Sequence, residues 1–328
     1  MNQAPKPIHS IGVLLIPDFA LLAYASAIEP FRAANRISGK ALYTWKHVSP
    51  DGRPVPASNG VEIVPDYGLG EAPHFDLLLI CAGGNPSAFE DARTFAWLRQ
   101  RARNGTRIAG VSGGPFVMAR AGLLDGYRCT IHWEHVSAFM EEFPAIELTG
   151  NLFELDRDRL SCSGGTASLD MMHRVIEEEH GHELASDIVD LFVHTNLRPG
   201  DGPQRVSVRE RFAVGHPKLV RVLEAMEANL EEPASAAELA EIAGVSTRQL
   251  ERLFRRYLKR SIGEHYKELR LRRSRILLTQ SSLSVMQAAI ACGFASAAHF
   301  SRIYKARFGH PPRSDLRRGL IRQTGQAG

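Results

Sequence analysis

A pattern of apolar and basic residues occurs twice in the last third of the chain, 50 residues apart, and it restricts that region to a helical fold. The first copy, AELAEIAGVSTRQLERLFRRYL, spans residues 237–258, and the second, QAAIACGFASAAHFSRIYKARF, spans residues 287–308. In each copy apolar residues recur at intervals of three and four, which places them on one face of a helix. Matching positions carry apolar anchors and basic residues: Leu250 and Phe300, Leu253 and Ile303, Phe254 and Tyr304, Arg252 and Arg302, Arg255 and Lys305.

Each copy predicts a short Ala-rich helix, a turn containing Gly244 or Gly293, and a second helix with an apolar and a basic face. On the second helix of the first copy, four cations lie roughly opposite Leu250, Phe254 and Tyr257: Arg248, Arg252, Arg255 and Lys259. This arrangement predicts two helix-turn-helix units that bind DNA. An ordinary helical bundle with solvated arginines is the alternative, and the repetition in register favours DNA binding.

The charge of the chain is divided unevenly. Residues 201–328 contain 23 Lys and Arg against 12 Asp and Glu, a net charge of +11, whereas the remainder carries a net charge of −7. Such an asymmetry favours a polyanion as the partner of the basic part. A helix between the two copies, EHYKELRLRRSRILL at 264–278, adds four arginines that we expect to reach DNA phosphates: Arg270, Arg272, Arg273 and Arg275.

The first half alternates continuous apolar runs with helical patterns. The runs at 11–16, 75–81, 108–111 and 159–163 are typical of strands buried on both faces. We therefore predict an α/β N-terminal domain, with a parallel sheet and helices on both faces, and an all-α C-terminal domain with two helix-turn-helix units. Clustered Pro and Gly near residue 200 predict a linker. The expected limits are 1–198 for the first domain, 199–216 for the linker, 217–320 for the DNA-binding domain and 321–328 for a tail.

Several classes of protein are disfavoured by the sequence. No apolar run approaches the roughly 18 residues of a membrane span, so no membrane partner is expected. The first ten residues lack the apolar core of a signal peptide, which favours a cytoplasmic location. The four cysteines have no CxxC spacing, and the histidines are not grouped as metal ligands. We expect neither a metal site nor a cofactor.

Residues 108–116, IAGVSGGPF, contain the pattern G-x-S-x-G around Ser112. In many hydrolases this pattern forms a sharp strand-to-helix turn that presents a nucleophilic serine. Ligands of parallel sheets bind beyond the carboxyl ends of the strands, where both Gly84 and Ser112-Gly113 fall. The turn is thus either the nucleophile of an enzyme or an anion-binding notch made of backbone amides.

The C-terminal part resembles the AraC/XylS family of bacterial transcription regulators over roughly 100 residues. The carrying stretches are LAEIAGVSTRQLERLFRRYL, LRLRRSRILL and AAIACGFASAAHFSRIYKARFGHPP. The resemblance implies two helix-turn-helix units, joined by one long helix, in successive major-groove segments of double-stranded DNA. It also implies the residues that face DNA: Ser246, Arg248, Glu251, Arg252, Arg255, Ala297, His299, Ser301, Arg302 and Lys305.

The first half resembles the PfpI-type branch of the class I glutamine-amidotransferase-like superfamily. FDLLLICAGG, RIAGVSGGPFVMARAGLLDGYRCTIHW and SCSGGTASLDMMHRVI carry this resemblance. Catalytic members have a cysteine at the turn, a downstream histidine and often an acid on the first helix; the matching residues here are Ser112, His132 and Ala23. A serine needs an aligned base and an orienting group, so the pattern argues against catalysis. A serine-dependent hydrolase or amidase using Ser112 and His132 is the alternative.

The combination of the two domains resembles activators that respond to arginine, carnitine or glycine betaine. It implies a small-molecule effector, an amino acid or a quaternary amine, together with a homodimer that acts on RNA polymerase. The expected ligand-binding residues are Ser112, Gly113, Gly84, Glu29, His132 and Trp133, of which Trp133 offers an aromatic face to a cationic head.

Overall fold

The computed structural model describes residues 9–281 and 283–317. The chain divides into two compact units, with the boundary between Gln204 and Arg205. The expected tail at 321–328 lies outside the described residues. We describe each unit by itself.

The first unit is built on a twisted sheet whose apolar strands lie side by side. The strands are β1 (His9–Leu15), β2 (Tyr43–Ser49), β3 (Val55–Pro56), β4 (Glu62–Ile63), β5 (Tyr67–Gly68), β6 (Leu77–Ala82), β7 (Arg107–Ser112), β8 (Arg128–Cys129), β9 (Glu147–Leu148), β10 (Phe153–Asp156) and β11 (Arg159–Cys162). Within the described residues, seven strands form the main sheet in the order β10-β11-β7-β6-β1-β2-β5. All neighbours in it are parallel except β10, which pairs antiparallel with β11.

Helices cover both faces of this sheet, as predicted. They are α1 (Leu21–Ser38), α2 (Ala92–Arg103), α3 (Gly114–Arg120), α4 (Val136–Glu142), α5 (Ala167–His180) and α6 (His182–Leu191). Side chains of β1 alternate between the two layers: Val13 and Leu15 pack with α1, α5 and α6, whereas Leu14 packs with α2, α3 and α4. This alternation follows from the two-residue period of a strand.

The second unit is helical. Its helices are α7 (Val208–Arg211), α8 (Pro217–Ala228), α9 (Ala236–Ala243), α10 (Thr247–Leu258), α11 (Ile262–Gln280), α12 (Val285–Ile290) and α13 (Ala297–Phe308). Serine side chains cap the first turns of six of these helices, at Ser207, Ser235, Ser246, Ser261, Ser284 and Ser296. Because these side chains accept backbone N–H bonds that the helix cannot satisfy internally, each serine defines where its helix begins. The fold class predicted from the sequence is confirmed.

Residues 199–216, expected to link the domains, divide between the two units. The backbone carbonyl of Gly200 accepts a 2.7 Å bond from the Leu152 amide of the first unit. The side-chain amide of Gln204 donates through Nε2 to Thr130 Oγ1 and to the carbonyls of Ile131 and Asn151 at 2.9–3.0 Å. Val208 and Val214, by contrast, pack in the core of the second unit.

The four cysteines are free and buried. Cys81, Cys129 and Cys162 lie on strands of the first unit, and Cys292 lies in the second unit. Burial raises the pKa of the Cys129 and Cys292 thiols to about 12. No described helix is both long enough and apolar enough to cross a membrane.

Candidate ligand site and nucleic-acid interface

Strand β7 ends in a sharp turn at Ser112, which we call the elbow (residues 110–114). Ser112 has φ +60°, a left-handed conformation that non-glycine residues seldom adopt, and it is 6% exposed. The amide of Gly113 donates to the carbonyl of Ala82 at 3.0 Å, and α3 begins at the next residue. The strand–turn–helix context predicted for the G-x-S-x-G pattern is therefore present.

Glycines at the ends of neighbouring strands surround the elbow. Ala82 of β6 pairs with Ser112, which places Gly84 two residues beyond that pair. Gly84 lies against Asp18, since a Cβ atom there would be 2.9 Å from the Asp18 Cβ. After β11, a Cβ atom on Gly164 would lie 2.6 Å from the Ser112 Cβ. Sequence analysis did not identify Asp18 or Gly164 as part of this site, although the Gly-Gly pair after β11 is a usable signal.

His132 meets the elbow through its backbone. Its N–H donates to the Ser112 carbonyl at 3.3 Å, and its Nδ1 accepts a long bond of 3.4 Å from the Glu134 amide. A Glu134 carboxylate oxygen lies 3.7 Å from the same Nδ1. Burial lowers the pKa of His132, opposed by the Glu134 carboxylate.

The arrangement around Ser112 does not match that of an activated serine. Among the described residues, the hydroxyl of Ser112 forms no hydrogen bond with the His132 ring. The Nδ1 atom of that ring faces Glu134. A general base must lie within hydrogen-bond reach of the proton that it removes. The elbow therefore has no base aligned on Ser112 within the described residues.

The other residues expected to bind the ligand do not all lie at the elbow. The Trp133 ring lies beside His132, with 5.6 Å between ring centroids, so it borders the site. Glu29 lies on α1 and accepts a 2.6 Å bond from Arg32 one turn further along the same helix. His135, which sequence analysis did not select, is 3% exposed, its Nδ1 has no partner among the described residues, and burial lowers its pKa to about 3.

Helix α10 presents the first group of expected DNA-facing residues. Ser246 is its N-cap, and the Ser246 hydroxyl accepts from the Gln249 amide. Arg248 and Arg252 are exposed, and neither forms an ion pair within the described part of the chain. Glu251 accepts a 3.2 Å bond from the Ile262 amide and lies 3.4 Å from Arg255, so it holds the start of α11.

The rest of α10 follows the predicted faces with one exception. Leu250 and Phe254 are fully buried, whereas Tyr257 is 38% exposed. Tyr257 lies in the last turn, where its ring packs at 5.8 Å against the ring of His216.

Helix α13 presents the second group. Phe300 and Tyr304 are fully buried and anchor the helix. On its other side an Arg302 nitrogen lies 3.0 Å from His299 Nδ1. The remaining expected residues are exposed or half-buried: Ala297, Ser301 and Lys305.

Three of the four arginines of α11 that were expected to reach DNA phosphates make contacts within the protein. Arg270 donates to backbone carbonyls of Cys292 and Gly293. Arg272 donates to Glu268 at 2.7 Å, and Arg275 lies 3.2 Å from Asp315. Their partners are the backbone of the turn between α12 and α13, Glu268 of α11 itself and Asp315 beyond α13, none of which residue spacing alone indicates.

Comparison with known proteins decides the family. A helix-turn-helix domain model matches residues 239–318, and the DJ-1/PfpI family model matches residues 10–178. The HTH-type transcriptional regulator GbdR of Pseudomonas aeruginosa is 45% identical over 314 residues, which cover 96% of this chain and 85% of the relative. This chain belongs to the HTH-type transcriptional regulators that carry a DJ-1/PfpI domain. The regulator is also 44% identical to CdhR of the same organism over 302 residues, which cover 92% of this chain and 90% of CdhR.

A solved structure agrees with this assignment. The regulator matches an AraC family transcriptional regulator from Pseudomonas putida with a TM-score of 0.52 and 26% identity, over 56% of this chain and 99% of that one. The resemblances to the AraC/XylS and PfpI-type families are thus confirmed, and the regulator binds DNA through its helix-turn-helix part. A hydrolase is not the function that these relatives favour.

Proposed function

We propose that the first unit of this regulator binds a small zwitterion at the elbow without turning it over, and that this binding controls how the second unit binds its operator. The observation that carries the proposal is the orientation of His132, whose Nδ1 faces Glu134 while the Ser112 hydroxyl is left without a bond to the ring. The elbow remains suited to binding because its backbone is held in place by the sheet.

The chemistry around the elbow supports an amino acid or a quaternary amine as the effector. Its carboxylate would accept hydrogen bonds from the amide of Gly84 and from the Ser112 hydroxyl, while Gly113, whose amide donates to the Ala82 carbonyl, would only border the ligand. Its cationic head would lie against Trp133, because an aromatic face attracts cations. Glu29 is paired with Arg32, so we assign the counter-charge to Glu134 beside His132.

The second unit is proposed to contact DNA through α10 and α13. Arg248, Arg252 and Arg255 would act from α10, and His299, Arg302 and Lys305 from α13. Ser246, Glu251, Ala297 and Ser301 complete the proposed surface, with Glu251 acting through Arg255. We further propose that the regulator is a cytoplasmic homodimer and activates transcription with RNA polymerase.

The test is a thermal melt of the full chain with glycine betaine, carnitine, arginine and other amino acids. A true effector at 100 times its dissociation constant should stabilise the first unit by about 2.7 kcal/mol, because it binds only the folded state. Trp133→Ala should remove most of this stabilisation for a quaternary amine, whereas Trp97→Ala, outside the proposed site, should lower the melting temperature without removing the ligand-induced shift. No shift with any of these compounds would contradict the proposal.

The Ser112→Ala variant separates this function from the hydrolase alternative. We expect it to retain operator binding and to show at most a weaker response to the effector, because Ser112 supplies one hydrogen bond of about 0.5–1.5 kcal/mol. Turnover of an ester or amide by the unmodified chain, abolished in Ser112→Ala, would establish the enzyme instead.

A further inference from the structure

Helix α11 belongs to both helix-turn-helix units at once. Its first turns place Ile262 and Tyr266 in the core formed with α8, α9 and α10. Its later turns place Leu271, Leu277 and Leu278 in a separate core formed with α12 and α13. The helix is continuous over this length. The rise along it is therefore fixed at about 1.5 Å per residue.

Arg270, at the middle of α11, holds the turn of the second helix-turn-helix unit. Its Nε donates to the Cys292 carbonyl at 2.6 Å, and its Nη2 donates to the Gly293 carbonyl. The guanidinium carbon lies 4.0 Å from the centroid of the Phe294 ring. The turn between α12 and α13 is thus bound to α11 by two hydrogen bonds and a cation–π contact.

Gly293 brings that turn close to the first helix-turn-helix unit. It has φ +70°, and a Cβ atom on it would lie 2.5 Å from the Glu231 carbonyl oxygen and 2.9 Å from the Leu230 carbonyl oxygen. These carbonyls belong to the loop between α8 and α9. Any side chain would push the two backbones apart. The approach of one helix-turn-helix unit to the other therefore depends on glycine at this position.

Glu268 adds a polar clamp between α11 and α13. It is 8% exposed, and its two carboxylate oxygens accept bonds of 2.6 Å each from Arg307 of α13. A bidentate pair of this kind restricts rotation as well as distance. At the other end, the Glu251 carboxylate of α10 accepts from the Ile262 amide of α11.

We infer that Arg270, Gly293 and Glu268 fix the distance and rotation between α10 and α13, and so determine the spacing of the two DNA segments that the regulator recognises. Arg270 is in this view a positioning residue and not a phosphate contact. The inference rests on the proposed assignment of α10 and α13 as the DNA-facing helices. One additional base pair moves the second segment by about 3.4 Å and rotates it by roughly 34°. A rigid pair of helices cannot follow that movement.

The experiment uses the full chain and the duplex that it selects from a pool of random DNA. The two protected segments are located by footprinting, and one base pair is inserted between them. For the unmodified regulator we expect the insertion to weaken binding by roughly 10- to 100-fold, the range of one lost base contact. Arg270→Gln should bind the unaltered duplex more weakly and lose most of the discrimination, with the insertion costing under about 3-fold.

Lys267→Gln is the matched control, because it removes one exposed cation from the same helix without touching the turn. It should keep the full insertion penalty. The slope of log affinity against log salt identifies a phosphate contact, since losing one reduces the slope by about one. For Arg270→Gln we expect an unchanged slope.

Three results would overturn the inference. An Arg270→Gln variant with the full insertion penalty and an unchanged slope would show a merely structural role, and one with a reduced slope would show a phosphate contact. An unmodified regulator that tolerates the insertion would show that the two helices are not held at fixed spacing. Should Arg270→Gln not fold, Glu268→Gln takes its place with the same expectation. If the unmodified chain selects no sequence at all, the proposed DNA-facing surface fails first, and this inference fails with it.

Discussion

At the scale of single residues, the elbow depends on the absence of a side chain at Gly164. This residue has φ +82° and lies against Ser112, whereas its neighbour Gly165 has φ +57° and nothing within 4 Å of a Cβ atom. Both residues have a backbone conformation that favours glycine, but only one is also limited by space. The pair therefore separates the cost of conformation from the cost of crowding.

We predict that Gly164→Ala destabilises the first unit more than Gly165→Ala does. The strained backbone conformation should cost about 1 kcal/mol in both variants, and crowding against Ser112 should add roughly 1–3 kcal/mol in Gly164→Ala alone. Urea unfolding of the two variants measures the difference. Equal losses would show that the elbow can move away from a Cβ atom at this position.

Single residues also show which parts of the site could be predicted from the sequence and which could not. Ser112 was found because a motif fixes its place at the end of a strand, and His132 was found through the resemblance to the PfpI-type family. Arg270 was expected to reach a phosphate because periodicity places an arginine on a helix face without showing which backbone carbonyls pack against that face. The contact between Glu134 and His132 depends on side-chain orientation, which residue spacing does not determine.

At the scale of elements, α11 combines apolar packing with a buried charge. The guanidinium of Arg307, followed by that of Arg272, holds the pKa of Glu268 at about 2, although burial acts in the opposite direction. Because the folded-state pKa lies below the usual value near 4.5, this carboxylate stabilises the fold above that value. The stabilisation is lost as the pH falls from about 4.5 towards 2.

We predict that Glu268→Gln is less stable than the unmodified chain at pH 7 by roughly 1–3 kcal/mol, since the charge-assisted bonds to Arg307 and Arg272 are lost. The difference should shrink below pH 4.5, because the unfolded unmodified chain then binds a proton at this carboxyl while the folded chain, with its pKa of about 2, does not. Urea unfolding at a series of pH values measures it. Glu241→Gln, an exposed change on α9, should give no such trend. A difference that is constant from pH 7 to pH 3 would contradict the proposed charge effect.

Strands could be predicted from the sequence where both of their faces are buried. β1, β6, β7 and β11 read as continuous apolar runs because helices or loops cover both faces of the sheet at those strands. β2 has exposed and half-buried positions in its centre, so its sequence, YTWKHVS, carries no such run. The antiparallel β10 is an edge strand of only four residues, too short for a clear pattern.

At the scale of the whole molecule, the regulator has two helices with exposed basic residues, α10 and α13, that we propose to face one DNA duplex. Arg252 of α10 and Arg302 of α13 hold matching positions in the two units. They lie on different helices with separate cores, so their contributions to binding should add.

We predict that Arg252→Ala and Arg302→Ala each weaken operator binding by roughly 1–3 kcal/mol, and that the double variant loses the sum. Gel-shift titration against the selected duplex measures all three. Arg221→Ala, which removes an exposed arginine of α8, is the control and should bind normally. Unchanged affinity in both single variants would place the interface elsewhere, and a double variant no worse than the weaker single one would show that only one helix engages at a time.

The four buried thiols can report local unfolding of the structure around them. A thiol-reactive reagent attacks thiolates, and a buried thiol with a raised pKa is protected from it until the surrounding structure separates. Three of these thiols lie in the first unit and one, that of Cys292, lies in the turn that Arg270 holds. Labelling followed by peptide mass spectrometry would therefore measure how often each unit opens, separately and in the same sample, with no engineered probe.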